Sequence, residues 1–176
     1  MASNFEYSAQ DWAIAAGHNP LRHLPAEDFG LLHRHWMWAN QMRVAFDAAI
    51  VARPSDAERP WPAMLAADDY GFMFAWYGFL WAVIEAMTEP SEKRSIDLRG
   101  RFREDIDLVR DVLRRCRHAV MHVPRSGDYV DERLIALIAT PDSAIILRRI
   151  HGAFGRLFLE EAARRGSQTA AHVVAG

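Results

Sequence analysis

Apolar residues recur along this chain at three- and four-residue spacings, which is the pattern of buried and amphipathic α-helices. Proline marks the predicted helix boundaries, because it suits a first turn but cannot continue a helix interior. Pro25 and the acidic residues that follow it therefore begin the first predicted helix, and Pro54 limits its end. The predicted helices cover about 25–53, 64–87, 101–122, 131–139 and 141–165.

No stretch of the chain alternates strictly between apolar and polar residues, as a half-buried β-strand would. The pattern therefore predicts an all-α protein, an up-and-down bundle of four to five helices. With 176 residues, the chain is long enough for one domain with a substantial core. We expect that domain to span 25–166, between an irregular N-terminal segment (1–24) and a loose C-terminal tail (167–176).

The composition is that of a globular protein and limits the kinds of partner. Hydrophobic residues make up 51% of the chain and charged residues 25%. The formal net charge of -2 argues against a broad nucleic-acid surface, but it leaves room for a local basic site. All of the 21 basic residues except Lys93 are arginines. Their planar guanidinium groups can donate two parallel hydrogen bonds to a phosphate or a carboxylate.

Two features bear on where the protein works. Cys116 is the only cysteine, which excludes an intrachain disulfide and suits a reducing cytoplasm. The apolar run 70–87 is about as long as a short membrane span, but it contains Glu85 and has no basic residues flanking its start. We therefore expect a buried helix, no membrane partner and a cytoplasmic protein.

The third predicted helix carries two stripes on opposite sides. The apolar stripe consists of Val109, Val112, Leu113, Cys116, Ala119, Val120 and Val123. The polar stripe consists of Asp111, Arg115, His118 and His122, with Arg114 at its border and Arg117 between the two stripes. Crowded arginines repel one another unless an acid or an anion lies nearby. Because histidine exchanges protons near neutral pH, the polar stripe is a candidate site for acid–base chemistry on an anion.

Glu85, near the end of the apolar second helix, is a candidate partner for these arginines. A carboxylate in apolar surroundings needs a compensating group, so Glu85 is expected to pair with Arg117 or Arg115 and to orient it. The alternative is an ordinary surface carboxylate at a helix end. Cys116 lies on the apolar stripe and is expected to be a small, buried hydrophobic residue.

The segment RHAVMH, residues 117–122, matches the R-x4-6-H motif of HEPN domains (higher eukaryotes and prokaryotes nucleotide-binding). The chain resembles that family over about 29–139, because an aromatic helix precedes the motif and the motif lies near a helix end. His118 stands where the family often has asparagine. Pro124 stands where a toxin subgroup carries a tyrosine that is nucleotidylated, so the resemblance does not extend to that mode of silencing.

The resemblance implies an endoribonuclease that needs no metal or other cofactor, of the kind found in toxin–antitoxin and defence systems. In that chemistry His122 would take the proton from a ribose 2′-hydroxyl, and Arg117 would stabilise charge on the attacked phosphate. HEPN proteins usually dimerise, so a homodimer with a composite cleft for RNA or a nucleotide is implied. An antitoxin-like protein partner is implied as well.

Helix geometry leaves the identity of the acting arginine open. Arg117 and His122 are five residues apart, which places them about 140° apart around one helix. Two helices from two chains would bring both to one phosphate. Arg115 shares the face of His122 on a single helix and also satisfies the looser motif spacing, so both arginines remain candidates.

Two other functions fit the same residues. One is a non-catalytic HEPN-type module that binds a nucleotide or a protein at the Arg/His cluster, which consists of Arg114, Arg115, Arg117, His118 and His122. The other is a metal-dependent hydrolase built in a helical bundle, because His118 and His122 have the i, i+4 spacing of paired metal ligands. Further ligands would then come from His18, His23, His33, His35 or His151.

Overall fold

A computed structural model describes residues 19–52, 68–88, 100–121 and 141–175 of the chain. These residues form a short 3-10 helix, Pro20–His23, and four α-helices. The α-helices are α1 (Ala26–Val51), α2 (Asp68–Thr88), α3 (Gly100–Met121) and α4 (Pro141–Ala175). The described part contains no strand, which confirms the all-α prediction there. The helix predicted over 131–139 lies outside the described residues.

The helix α2 lies between α1 and α3, and α4 completes the bundle by contacting α3, α1 and the 3-10 helix. The central position of α2 explains why the sequence of α2 is apolar on nearly every side. Trp76, Leu80 and Ile84 are almost completely buried, and together with residues of the other helices they form one continuous core.

Among the described helices, only α2 is long and apolar enough to cross a membrane, over Gly71–Thr88. Half of that window is buried within the bundle. Length and composition alone are weak evidence for a membrane span, since a core helix meets the same criteria. The burial of Trp76 and Leu80 against neighbouring helices agrees with the buried helix that the sequence predicts.

The predicted apolar stripe of α3 is confirmed over its described side chains. Val109, Val112, Leu113 and Cys116 are all buried, and α3 faces α2 and α4 with this side. Phe102 and Ile106 extend the same stripe toward the start of the helix. A salt bridge between the buried side chains of Asp105 and Arg149 then joins α3 to α4.

The segment predicted to be irregular before the first helix is anchored to α4 over its last six residues. The Asn19 side chain caps the 3-10 helix by accepting from the Leu21 N–H at 2.9 Å and donates to the Leu157 carbonyl at 2.7 Å. Leu21 and Leu24 are buried. Arg165 donates to the Leu24 carbonyl at 2.7 Å. Local composition does not reveal this anchoring, because the contacts with Leu157 and Arg165 join residues more than 130 positions apart.

The last helix is longer than the sequence predicts. The expected loose tail begins at 167, but α4 continues to Ala175. Gly166 costs only about 1 kcal/mol relative to alanine inside a helix, so it need not end one. The Ser167 hydroxyl donates to the Ala163 carbonyl at 3.0 Å and so stays within the helical hydrogen-bonding pattern.

Gly155 allows α4 to approach the indole ring of Trp36 on α1. A Cβ atom at Gly155 would lie 2.9 Å from Trp36 Cζ2, closer than such contacts normally occur. The ring cannot easily move, because it stacks on His151 and packs against Phe158. Its Nε1–H also donates to the His151 carbonyl at 3.4 Å.

Replacing Gly155 by alanine should therefore lower the free energy of unfolding by about 1–2 kcal/mol, since overpacking outweighs the better helix propensity. The matched control is Gly152→Ala on the same helix, where a Cβ atom would meet nothing within 4 Å. This control should gain up to about 1 kcal/mol. Urea unfolding of both variants measures the difference, and equal stabilisation of both would contradict the described packing of Trp36.

Candidate functional site at the α2–α3 contact

The polar stripe of α3 is exposed where its side chains are described. Asp111, Arg114, Arg115 and His118 are all exposed, on the side of the helix opposite to Val112 and Cys116. His122 lies just beyond the end of α3 and outside the described residues. The predicted separation of an apolar and a polar stripe therefore holds as far as His118.

Arg117 is half-buried and reaches across to α2, where its Nη1–H donates to Glu85 Oε2. The pairing of Glu85 with an arginine of the third helix is thus observed, and the partner is Arg117 rather than Arg115. The Glu85 side chain is 28% exposed, so the carboxylate lies at the edge of the core rather than inside it. The Arg117 side chain is more exposed, at 43%.

Gly78 brings the backbones of α2 and α3 together at Arg117. A Cβ atom at Gly78 would lie 3.3 Å from Arg117 Cα, which is a tight contact with backbone. Glu85 follows Gly78 by two helical turns and so lies on the same face of α2. The small residue therefore places Arg117 close enough to α2 for its side chain to reach Glu85.

Charge is distributed unevenly along α3. In the first half, Arg103 and Arg110 both pair with Asp107. Near the end of the helix, three arginines and a histidine face two carboxylates among the described residues. These are Arg114, Arg115, Arg117 and His118, with Asp111 and Glu85. The negative end of the helix dipole stabilises these cations but opposes an added anion, so any anion binding here depends on the guanidinium groups themselves.

The structure does not place all the predicted site residues on one surface of the chain. The Arg117 side chain points toward α2 and contacts Glu85 there, whereas Arg115 and His118 lie on the exposed polar stripe. Arg115 and Arg117 are two residues apart on a helix, which separates them by about 160°. A phosphate that contacts both the Arg117 guanidinium and the exposed stripe of one chain would have to reach around the helix.

Cys116 is completely buried on the apolar stripe, as the sequence predicts. Burial raises the pKa of its thiol to about 12, because the charged thiolate would lose its hydration. The thiol is therefore protonated at neutral pH. Although it is next to Arg115 and Arg117 in sequence, it is not a nucleophile for this site.

A buried polar cluster between α1, α2 and α4 was missed by sequence reasoning, which treated His151 only as a possible metal ligand. Trp76 Nε1–H donates to His151 Nδ1 at 3.1 Å, so the ring proton of the neutral histidine lies on Nε2. This nitrogen donates to Asn40 Oδ1 at 3.1 Å. A signal was present, because His151 falls at helical spacing from Leu147 and Phe154 on the apolar face of α4.

The cluster continues to the surface through a shared carboxylate. Asp47 accepts from Arg43 Nη1 at 2.7 Å and from Arg148 Nη1 at 3.1 Å, which joins α1 to α4. These hydrogen bonds, first that of Arg148, hold the pKa of Asp47 below its ordinary value. Burial, together with the charges of Arg43 and Arg148, lowers the pKa of His151 to about 4.

The described residues do not bring three metal-binding side chains together. Both ring nitrogens of His151 are engaged by Trp76 and Asn40, and His33 packs between the rings of Phe29 and Trp36. Among the histidines named as possible ligands, His18 and His122 lie outside the described residues.

Comparison with known proteins identifies no relative of this chain. The chain matches no family model, no curated protein and no solved structure. Its function has to be inferred from its own residues, above all from the Arg/His cluster at the end of α3.

Proposed function

We propose that this chain is a HEPN-like, metal-independent endoribonuclease whose active site forms at the end of α3. The observation that carries the proposal is the position of the R-x4-6-H motif. Its arginine, Arg117, pairs with Glu85 on α2, and the exposed polar stripe that contains Arg115 and His118 lies on another side of the same end of α3. Guanidinium groups bind phosphate, and histidine exchanges protons at neutral pH.

In the proposed reaction, His122 takes the proton from a ribose 2′-hydroxyl, and the 2′-oxygen attacks the adjacent phosphorus. The bond from phosphorus to the 5′-oxygen breaks, and that oxygen leaves with a proton. The products are a 2′,3′-cyclic phosphate and a 5′-hydroxyl. His118 is the candidate for returning the proton, and Arg117 or Arg115 stabilises the extra negative charge on the phosphate in the transition state.

The proposed enzyme works as a homodimer. The five-residue spacing of Arg117 and His122 predicts an angle of about 140° between them around a continuous helix, and the Arg117 side chain points toward α2. Two copies of α3 related by a dyad would place Arg117 of one chain and His122 of the other at one phosphate. A toxin or defence role in the cytoplasm, controlled by an antitoxin-like protein, accompanies this proposal.

A second candidate is a non-catalytic module that binds a nucleotide or a protein partner through the same cluster. The ion pair with Glu85 favours it, because a carboxylate next to Arg117 already compensates part of its charge. His118 in place of the family's usual asparagine favours it too. The third candidate, a metal-dependent hydrolase, gains no support from His151 or His33, whose rings are engaged within the bundle.

The test is to incubate the purified protein with single-stranded RNA and with DNA of the same sequence, both in excess chelator. We expect cleavage of the RNA alone, because DNA lacks the attacking 2′-hydroxyl and the reaction needs no metal. If the folded protein leaves the RNA intact, the endoribonuclease proposal is wrong and the binding module is favoured. Cleavage that the chelator abolishes would favour the metal-dependent hydrolase.

A further inference from the structure

We infer that Glu85 is a positioning residue, which holds the Arg117 guanidinium in place to receive a phosphate of single-stranded RNA. The inference rests on the proposed function, in that it takes RNA as the ligand of the cluster. It concerns binding, however, and so holds whether or not the bound RNA is cleaved.

The contact between Arg117 and Glu85 leaves other N–H donors of the guanidinium group available for a second anion. A guanidinium group is planar and carries five N–H donors, and Glu85 engages it through Nη1. The exposed fractions of the side chains, 43% for Arg117 and 28% for Glu85, place the arginine nearer to solvent. The Arg117 side chain is therefore accessible to a phosphate arriving from solvent.

The close helix contact sets the distance from which the Arg117 side chain reaches Glu85. Gly78 holds the α2 backbone against that of α3 at Arg117, and Glu85 lies two turns further along the same face of α2. A free arginine loses much side-chain freedom when it binds a phosphate, which weakens binding. An arginine that Glu85 already orders has lost part of that freedom before the RNA arrives.

Simple charge arithmetic makes the opposite prediction. Removing a carboxylate near an anion site reduces repulsion and should strengthen RNA binding. The direction of the change in affinity therefore distinguishes a positioning carboxylate from one that only lowers the local positive charge. Asp107 provides a charge-matched control on α3, because it pairs with Arg103 and Arg110 away from the cluster.

The experiment measures the Kd for a short fluorescein-labelled single-stranded RNA by fluorescence anisotropy in chelator. The 2′-hydroxyls of this RNA are methylated, so the proposed reaction cannot consume it. We expect Glu85→Gln to weaken binding about threefold to tenfold. Asp107→Asn adds the same charge and should leave the Kd unchanged or lower it. Arg117→Ala should weaken binding at least as much as Glu85→Gln. If Glu85→Gln does not fold, as judged by circular dichroism, Glu85→Asp replaces it with the same direction expected.

The outcomes separate this inference from the proposed nuclease. Binding equal to or tighter than wild type in Glu85→Gln would overturn the positioning role. Wild-type protein that does not bind RNA, or binding that Arg117→Ala leaves unchanged, would overturn the phosphate site. If the variants bind in the expected order of affinities but the wild-type protein leaves unmodified RNA intact, the inference is supported and the nuclease proposal is wrong.

Discussion

Replacing His122 by alanine is expected to lower the rate of RNA cleavage by about 10²–10⁴-fold, which is the usual contribution of a general base. The 2′-hydroxyl would then have to lose its proton to water. Single-turnover cleavage of a labelled RNA at neutral pH measures the loss. His23→Ala is the matched control, because His23 is exposed on the 3-10 helix and outside the proposed chemistry. If the cleavage rate of the His122 variant falls by less than about tenfold, His122 is not the general base.

The same assay decides between the two candidate arginines. If the composite cleft forms, Arg117→Ala should reduce cleavage more than Arg115→Ala. A mixture of the Arg117→Ala and His122→Ala chains should then recover part of the activity. In that mixture, one of the two sites of a heterodimer has both residues intact. If Arg115 on the face of His122 is the acting group, the order of the two arginine variants reverses.

Acidification is expected to destabilise the fold through His151. The folded-state pKa of His151 is about 4, whereas the ordinary pKa of a histidine is 6.5. The unfolded chain therefore binds more protons between these values, so the stabilisation is present above pH 6.5 and is lost as the pH falls toward 4. Between pH 7 and pH 5, the expected loss of unfolding free energy is about 2 kcal/mol.

The main cause is burial, because a charged imidazolium would lose its hydration, and the charges of Arg43 and Arg148 add to it. Protonation also breaks the hydrogen bond from Trp76. In the imidazolium form both ring nitrogens carry protons, so Nδ1 can no longer accept from the buried Trp76 Nε1–H. Urea unfolding at several pH values measures the effect, with His151→Gln as the control that cannot titrate. The comparison cancels the contribution of His33, whose pKa burial also lowers. Equal pH dependence of wild type and variant would contradict the proposed role of His151.

What the sequence could predict depended on periodicity within one helix. The burial of Val112, Leu113 and Cys116 follows from their 100° spacing alone, and so does the exposure of Arg115 and His118. The pairing of Glu85 with an arginine was also predictable, because a carboxylate in an apolar helix needs a partner. Which arginine it contacts was not, since that depends on how closely α2 and α3 approach at Gly78.

The features that sequence reasoning missed depend on contacts between distant parts of the chain. Asn19 is fixed by the Leu157 carbonyl, and His151 by Trp76 and Asn40. No local pattern around Asn19 indicates that α4 passes there. The spacing of His151 on α4 did indicate burial, but its partners lie on two other helices.

The identity of the RNA ends tests the central claim most directly. Wild-type protein is incubated with one RNA of defined sequence in excess chelator, and the masses of the fragments are measured by mass spectrometry. Attack by the 2′-hydroxyl predicts 2′,3′-cyclic phosphate ends on one fragment and 5′-hydroxyl ends on the other. RNA that stays intact, or fragments with 5′-phosphate ends, would contradict the account.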